Sequence, residues 1–185
     1  LLMAPIAKAS DSVELASGIR EVLESLTTDD ARMVYQAINL AQSTALGTED
    51  ELDVAAEPPD SLLAAMELAR DRDMIARQYV TGFGELLNRI APRLMESMTL
   101  YDESEAIVRT HVWCMSEYPD SLIARKRGND AAEASRSLAQ AAVDAADEAE
   151  YWRLVSDLDF WLRCDGHARN PGTTADLIGA AVLIL

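Results

Sequence analysis

Asp130-Ala131-Ala132-Glu133-Ala134-Ser135-Arg136-Ser137-Leu138-Ala139-Gln140-Ala141-Ala142-Val143-Asp144-Ala145-Ala146-Asp147-Glu148-Ala149-Glu150 is a stretch suited to a helix and to little else. Alanine is the strongest helix former, and glutamate, glutamine and arginine follow it closely. Large apolar residues are few here, Leu138 and Val143, so the predicted helix over 130–150 packs closely against neighbours through its alanines. Trp152, Leu154, Val155, Leu158, Trp161 and Leu162 then form the apolar face of a further helix. The same bias holds along all 185 residues. Aromatics make up only 5%, and residues that favour strands are scarce. The fold class read from this is all-α, a single-domain multi-helix bundle over residues 1–185.

Outward from that stretch, helix signals recur at short intervals. Leu1 to Lys8 reads as the end of a buried helix. Asp11 or Ser12 can cap a second, carrying Val13, Ile19, Val22 and Leu23. Thr27-Thr28-Asp29-Asp30 places capping side chains and negative charge at the start of a helix whose apolar face is Met33, Ala37, Ile38 and Leu40. Ser43 to Pro59 is the one long irregular stretch, a surface loop or part of a site. Asp60-Ser61 opens a helix that Asp71-Arg72-Asp73 interrupts, before Ile75, Tyr79, Phe83, Leu86 and Leu87 resume an apolar face. Asp102 to Glu105 begins a helix ending near Tyr118-Pro119, and Asp120-Ser121 starts a short one that stops at Gly128. Short joints favour antiparallel packing of neighbouring helices.

The net charge is −16, from 16 basic and 32 acidic residues. Such a surface repels nucleic acid and anionic membranes. It still admits a small nucleotide where a cation and a few local Arg or Lys residues reverse the field. No apolar run is long enough to span a bilayer, and Cys114 and Cys164 lack metal or redox spacing, so a cytoplasmic location is expected. Leu177 to Leu185 is apolar without a helix stop signal, and the chain opens on Leu1-Leu2-Met3. Both features suggest a fragment truncated at the N-terminus and also at the C-terminus, with apolar ends that invite homo-oligomer formation.

The segment richest in chemistry is Gly166-His167-Ala168-Arg169-Asn170-Pro171-Gly172-Thr173-Thr174-Ala175-Asp176. It is a tight loop feeding a helix N-terminus. Thr173 is placed as N-cap, with Asp176 three residues on completing a capping box. Free N–H groups at such an end attract anions, and His167, Arg169 and Asn170 add donors suited to a phosphate. The plainer reading is a sharp turn and a capped helix, and both readings stand on local physics. Arg125 and Lys126 are adjacent cations, either a phosphate grip or a solvated patch. Asp71 and Asp73 would point about 160° apart on a regular helix and share a metal only if the helix breaks there. Asp73 and Arg77 could equally be a surface pair. His111 lies with Ile107 and Cys114 on an apolar stripe, as a buried histidine satisfied by a hydrogen bond. Asp53 and Glu57 are most simply solvated, with metal contact as the alternative.

The run from Asp159 to Asp176, with Trp161-Leu162-Arg163, Gly166-His167 and Arg169-Asn170-Pro171-Gly172-Thr173-Thr174-Ala175-Asp176, resembles the C-terminal signature of the triphosphoribosyl-dephospho-CoA synthase family. Tyr118-Pro119-Asp120-Ser121-Leu122-Ile123-Ala124-Arg125-Lys126-Arg127-Gly128 is similar to that family's second block. Asp71 to Tyr79, with Asp53 to Pro58, resembles a branch associated with one-carbon pterin cofactor gene sets. The family's N-terminal Pro/Gly-containing block has no counterpart in these residues.

The resemblance implies a transferase that moves the triphosphoribosyl group of ATP onto 3′-dephospho-CoA and releases adenine. ATP and dephospho-CoA would be its small-molecule partners and Mg²⁺ its cofactor. It further implies Asp73, Asp176 and His167 as catalytic candidates, and Asp71 with Asp73 as metal ligands. Arg125, Lys126, Arg169, Asn170, Gly172, Thr173 and Thr174 would hold the nucleotide. Three rivals have weaker footing. A His-Asp phosphohydrolase needs more histidines than His111 and His167. An ADP-ribosyl-glycohydrolase-like enzyme needs an acidic triplet before a Gly-rich turn. A helical interaction module would bind no nucleotide. A related transferase acting on another acceptor, in one-carbon cofactor biosynthesis, is the remaining alternative.

Overall fold

The computed structural model describes residues 1–10, 14–45 and 61–185, with backbone alone over 38–45. Among these, every regular element is helical. The expected cap at Asp11 or Ser12, most of the long irregular stretch, and Asp53 and Glu57 lie outside the described residues.

In chain order the helices are α1 (Met3–Ala9), α2 (Leu15–Glu24), α3 (Thr28–Ala45), α4 (Leu62–Ala69), α5 (Met74–Val80), α6 (Ala91–Leu100), α7 (Glu103–Glu117), α8 (Ser121–Arg127), α9 (Asn129–Val143), α10 (Glu148–Arg163) and α11 (Gly172–Ile184). A π-helical turn, Leu86–Ile90, runs directly into α6. Pro92, two residues beyond it, has no N–H to give to a regular turn, so the wider turn sits where the ordinary ladder would fail.

Two apolar cores share α7. The larger gathers Ile6, Ile19, Leu62, Phe83, Leu86, Ile90, Leu94, Cys114, Leu177 and Ile178. The smaller lies between α7, α9 and α10 and contains Val112, Met115, Ala139, Ala142, Tyr151 and Leu158. The expected close packing through alanine is real, since Ala132, Ala139 and Ala142 are all but inaccessible. Helix α11 packs against α1, α5, α6, α7 and α8. It is apolar almost all round, as a central helix must be.

The single helix expected over 130–150 is instead two. Helix α9 ends at Val143 and α10 begins at Glu148, because Asp147 accepts from the Glu150 N–H (2.9 Å) while Glu150 accepts from the Ala146 N–H (2.9 Å). The Asp147 cap, with Glu150 holding the N–H of the residue before it, gives the backbone a better start at Asp147 than continuation would, and alanine content conceals it. The expected apolar face of α3 also needs correction. Among the side chains described, Met33 (68%) and Ala37 are exposed, while Ala31 enters the core with Val34 packed against it; the side chains of Ile38 and Leu40 lie outside the described residues. The cap itself is as expected: Asp30 accepts from the N–H and hydroxyl of Thr27, and Thr27 Oγ1 accepts from the Asp30 N–H.

Candidate functional site

Three helix N-termini meet at one place: those of α5, α8 and α11. Asp73 caps α5, its Oδ1 accepting from the N–H groups of Ile75 (2.8 Å) and Ala76 (3.1 Å). Asp120 caps α8, its Oδ1 accepting from Leu122 (2.9 Å) and Ile123 (3.1 Å). Ser121 Oγ accepts from the Met74 N–H at 2.9 Å, which ties the start of α5 to the start of α8. Asp120 Oδ2 reaches the start of α11, accepting from both the N–H (2.8 Å) and the hydroxyl (2.9 Å) of Thr174. Asp120 is 3% exposed and saturated with donors.

This arrangement corrects the expectation for the segment 166–176. Thr173 is not the N-cap. Pro171 takes that place, Gly172 is already helical, and no side chain of the segment caps its own helix. The capping role belongs to Asp120, so the anion held at this helix end is a carboxylate from α8. A Cβ at Gly172 would lie 2.5 Å from Leu122 Cδ2, so a larger residue there requires the half-buried Leu122 side chain to turn aside. Thr173 and Thr174 are both buried at that junction.

Beside the junction opens a cleft of about 1210 Å³. One wall is the broken stretch between α4 and α5, carrying Arg70, Asp71, Arg72, Asp73 and Arg77. The other carries Tyr118, Ser121, Arg125, Asp130 and Glu133. Four arginines here face four carboxylates, a local balance unlike the −16 of the whole chain. The helix does break at Asp71–Asp73, as a shared cation would require. Asp71 is fully exposed, and Asp73 Oδ2 takes no hydrogen bond from a described residue, meeting only Arg125 Nη1 at 4.0 Å. The expected Asp73–Arg77 pair does not form. Arg77 turns instead to Glu85 (2.7 Å), which also accepts from the buried Gln78 (3.0 Å).

No group of three or more His, Cys, Asp or Glu residues with metal-holding geometry occurs among the described residues. Mg²⁺ does not need one, since it keeps several waters and is commonly bound by one or two carboxylates together with substrate phosphates. The solvent-facing Asp71 and the unbonded Asp73 oxygen fit that donor set. Asp176 reaches solvent on the first turns of α11. Burial pushes its carboxyl above the ordinary range, against a lowering pull from the amino group of Leu1, and the Asp120 and Asp73 carboxylates add to the rise.

The remaining candidates divide. Lys126 lies about a third of a turn from Arg125 on α8, and it lines neither this cleft nor the second cavity described next. Arg127 pairs with Asp165 (2.6 Å). Arg169 is held inside its own loop: it stacks on Trp161 (4.3 Å to the ring centroid), donates to the Trp161 carbonyl (3.2 Å) and faces Asp165 (3.7 Å). That carbonyl belongs to the open C-terminal end of α10, where a cation fits the helix dipole. His167 and Asn170 line a second cavity of about 530 Å³, between α7 and α10, together with His111. His111 is half-buried and makes no hydrogen bond to a described residue; burial lowers its pKa, against a raising pull from Asp120.

Sequence reasoning misses Asp120. Its local signal, an N-cap after Tyr-Pro, is visible, but nothing local marks the bond to Thr174.

Comparison with known proteins places this geometry. No curated protein matches the chain. A crystal structure from Archaeoglobus fulgidus, of a protein assigned by name only as a triphosphoribosyl-dephospho-CoA synthase, superposes with a TM-score of 0.75 at 27% identity. The match covers 99% of this chain and 78% of that one. The family model described as ATP:dephospho-CoA triphosphoribosyl transferase matches residues 1–185. The all-α chain with its arginine- and carboxylate-lined cleft therefore belongs to the ATP:dephospho-CoA triphosphoribosyl transferase family.

Proposed function

We propose that this chain transfers the triphosphoribosyl group of ATP to a ribose hydroxyl of 3′-dephospho-CoA in the cleft between the α4–α5 break and α8. The observation that carries the reading is that cleft: in a strongly acidic protein it sets Arg70, Arg72, Arg77 and Arg125 against an equal number of carboxylates. Membership in the family supplies the reaction class.

In the transfer, the bond between the ribose C1′ and adenine N9 breaks, and a bond from the acceptor oxygen to C1′ forms. The acceptor hydroxyl gives up its proton, and adenine leaves with one. Positive charge develops at C1′, as in glycoside cleavage. The arginines hold the polyphosphate by charge-assisted hydrogen bonds. Asp71 and Asp73 would hold Mg²⁺, which, when bound, screens the polyphosphate charge. A carboxylate takes the acceptor's proton, and of the catalytic candidates Asp73 lines the cleft whereas Asp176 does not. Asp120, with its oxygens filled by N–H and hydroxyl donors, holds α8 and α11 in register and so sets where Arg125 and Asp176 stand.

The test is to incubate the protein with ATP, Mg²⁺ and dephospho-CoA, measuring free adenine and the mass of the acceptor. Stoichiometric adenine and triphosphoribosyl-dephospho-CoA are expected. Arg125→Ala should raise the KM for ATP about tenfold, the loss of one charge-assisted contact. ATP binding without adenine release in the presence of dephospho-CoA would refute the reading.

A further inference from the structure

The chain has two histidines, His111 on α7 and His167 in the loop before α11, and both line the second cavity. The accessible apolar walls are Ile107 and Val108 from α7 and Val155 and Leu162 from α10, and the exposed Asn170 also lines the cavity. At about 530 Å³ it falls within the range of small-ligand sites. The transfer chemistry assigned to the cleft uses none of these residues.

The chemistry of the lining selects against a phosphate. The rim cation Arg163 is engaged by Asp159 at 2.7 Å, and Arg169 is drawn away onto Trp161. What remains is an apolar slot with a few neutral groups, each carrying both donor and acceptor. An amide offers an N–H₂ and a C=O side by side, and a neutral imidazole offers one N–H and one bare nitrogen. Adenine presents the matching edge, an amino group beside a ring nitrogen, which an Asn amide pairs bidentately. Its flat faces suit aliphatic walls.

The two cavities also lie on either side of one junction. Pro119 and Ser121, which flank Asp120, line the cleft. Asn170 and Pro171, which lead into the helix that Asp120 caps, line the second cavity.

We propose that the cavity between α7 and α10 binds the adenine base of a nucleotide substrate, with Asn170 and His111 pairing its edge and Val108 and Val155 covering its face. The assignment rests on the nucleotide-transfer reading only for which molecule carries the base, since ATP and dephospho-CoA both contain adenine.

The paired histidines provide the readout, because the protein shows just two imidazole Cε1–H signals in proton NMR, assignable with His111→Gln and His167→Gln. Adenosine should shift both signals saturably, whereas inorganic tripolyphosphate with Mg²⁺ should leave them in place. Asn170→Ala, at an exposed loop position, should weaken adenosine binding about tenfold with unchanged circular dichroism. Titration with ATP and with dephospho-CoA separately then tells which substrate brings the base. The proposal is overturned if adenosine shifts neither signal, if Asn170→Ala binds adenosine as the parent does, or if neither ATP nor dephospho-CoA reproduces the adenosine shifts. Adenine release without a histidine response defeats this site alone. A histidine response without adenine release in the transfer assay defeats the transferase reading alone.

Discussion

Replacing Asp120 by alanine should destabilise the protein far more than removal of a surface carboxylate does. The side chain accepts four hydrogen bonds, two from the first turn of α8 and two from Thr174. Loss of the α8 cap costs about 1 kcal/mol. The Thr174 N–H and hydroxyl are buried, and each unsatisfied donor costs about 1–2 kcal/mol. The sum is about 3–5 kcal/mol. With a urea m-value of about 2 kcal/mol/M, the unfolding midpoint falls by about 2 M. Equilibrium urea unfolding followed by circular dichroism reads it directly. Thr174→Val, which removes only the hydroxyl donor, should cost about 1 kcal/mol alone and nothing in the Asp120→Ala background, because the acceptor is already gone. A midpoint change below about 0.5 M for Asp120→Ala, or additive costs in the double variant, would refute the claim that this carboxylate joins the two helices.

Four further outcomes follow from the junction and the cavity beside it. Gly172→Ala makes the half-buried Leu122 side chain turn aside, at a cost offset by alanine's helix preference, so urea unfolding should change by no more than about 1 kcal/mol. Asp176 has a folded-state pKa raised above 3.8, so the folded state binds more protons just above that pH, and stability falls as pH rises through the window. Asp176→Asn should therefore raise the Tm at neutral pH and flatten that part of the profile. His111 is lowered from 6.5, so the unfolded state binds more protons below that value, and stability falls as pH drops through it. His111→Phe should remove this slope in a Tm–pH series. Asp120→Asn should lower the His111 pKa further, because the Asp120 charge supports its protonation.

Much of the helix plan is legible in local signals, because caps act within four residues. Thr27–Asp30, Ser61, Asp73, Asp102 and Asp120 all cap where sequence reasoning places a start. The failures are also local in kind. The break at Asp147 is hidden by alanines that favour helix on both sides, although the Asp147–Glu150 spacing carries a cap signal. Hydrophobicity assigns the face of α3 to Met33, yet the smaller Ala31 is what fits against the core. At the site, the break at Asp71–Asp73 and the cleft position of Arg125 agree with the sequence pattern. Adjacency misleads for Lys126, since neighbours on a helix point about 100° apart.

The loop before α11 is the deeper case. Its sequence pattern says that this helix end attracts an anion, and that physical rule is sound. The rule does not say where the anion comes from. The donors are satisfied by a carboxylate 54 residues earlier, a pairing with no local trace. Once Asp120 fills the place, the neighbouring polar residues are free to serve separate ends. Arg169 closes the end of α10, Gly172 admits Leu122, and His167 and Asn170 face a different cavity. A conspicuous motif therefore divides into one structural joint and two surfaces. The cleft across the α4–α5 break is a separate surface, where Arg70 pairs with Glu67, Arg77 with Glu85 and Arg125 stands 4.0 Å from Asp73.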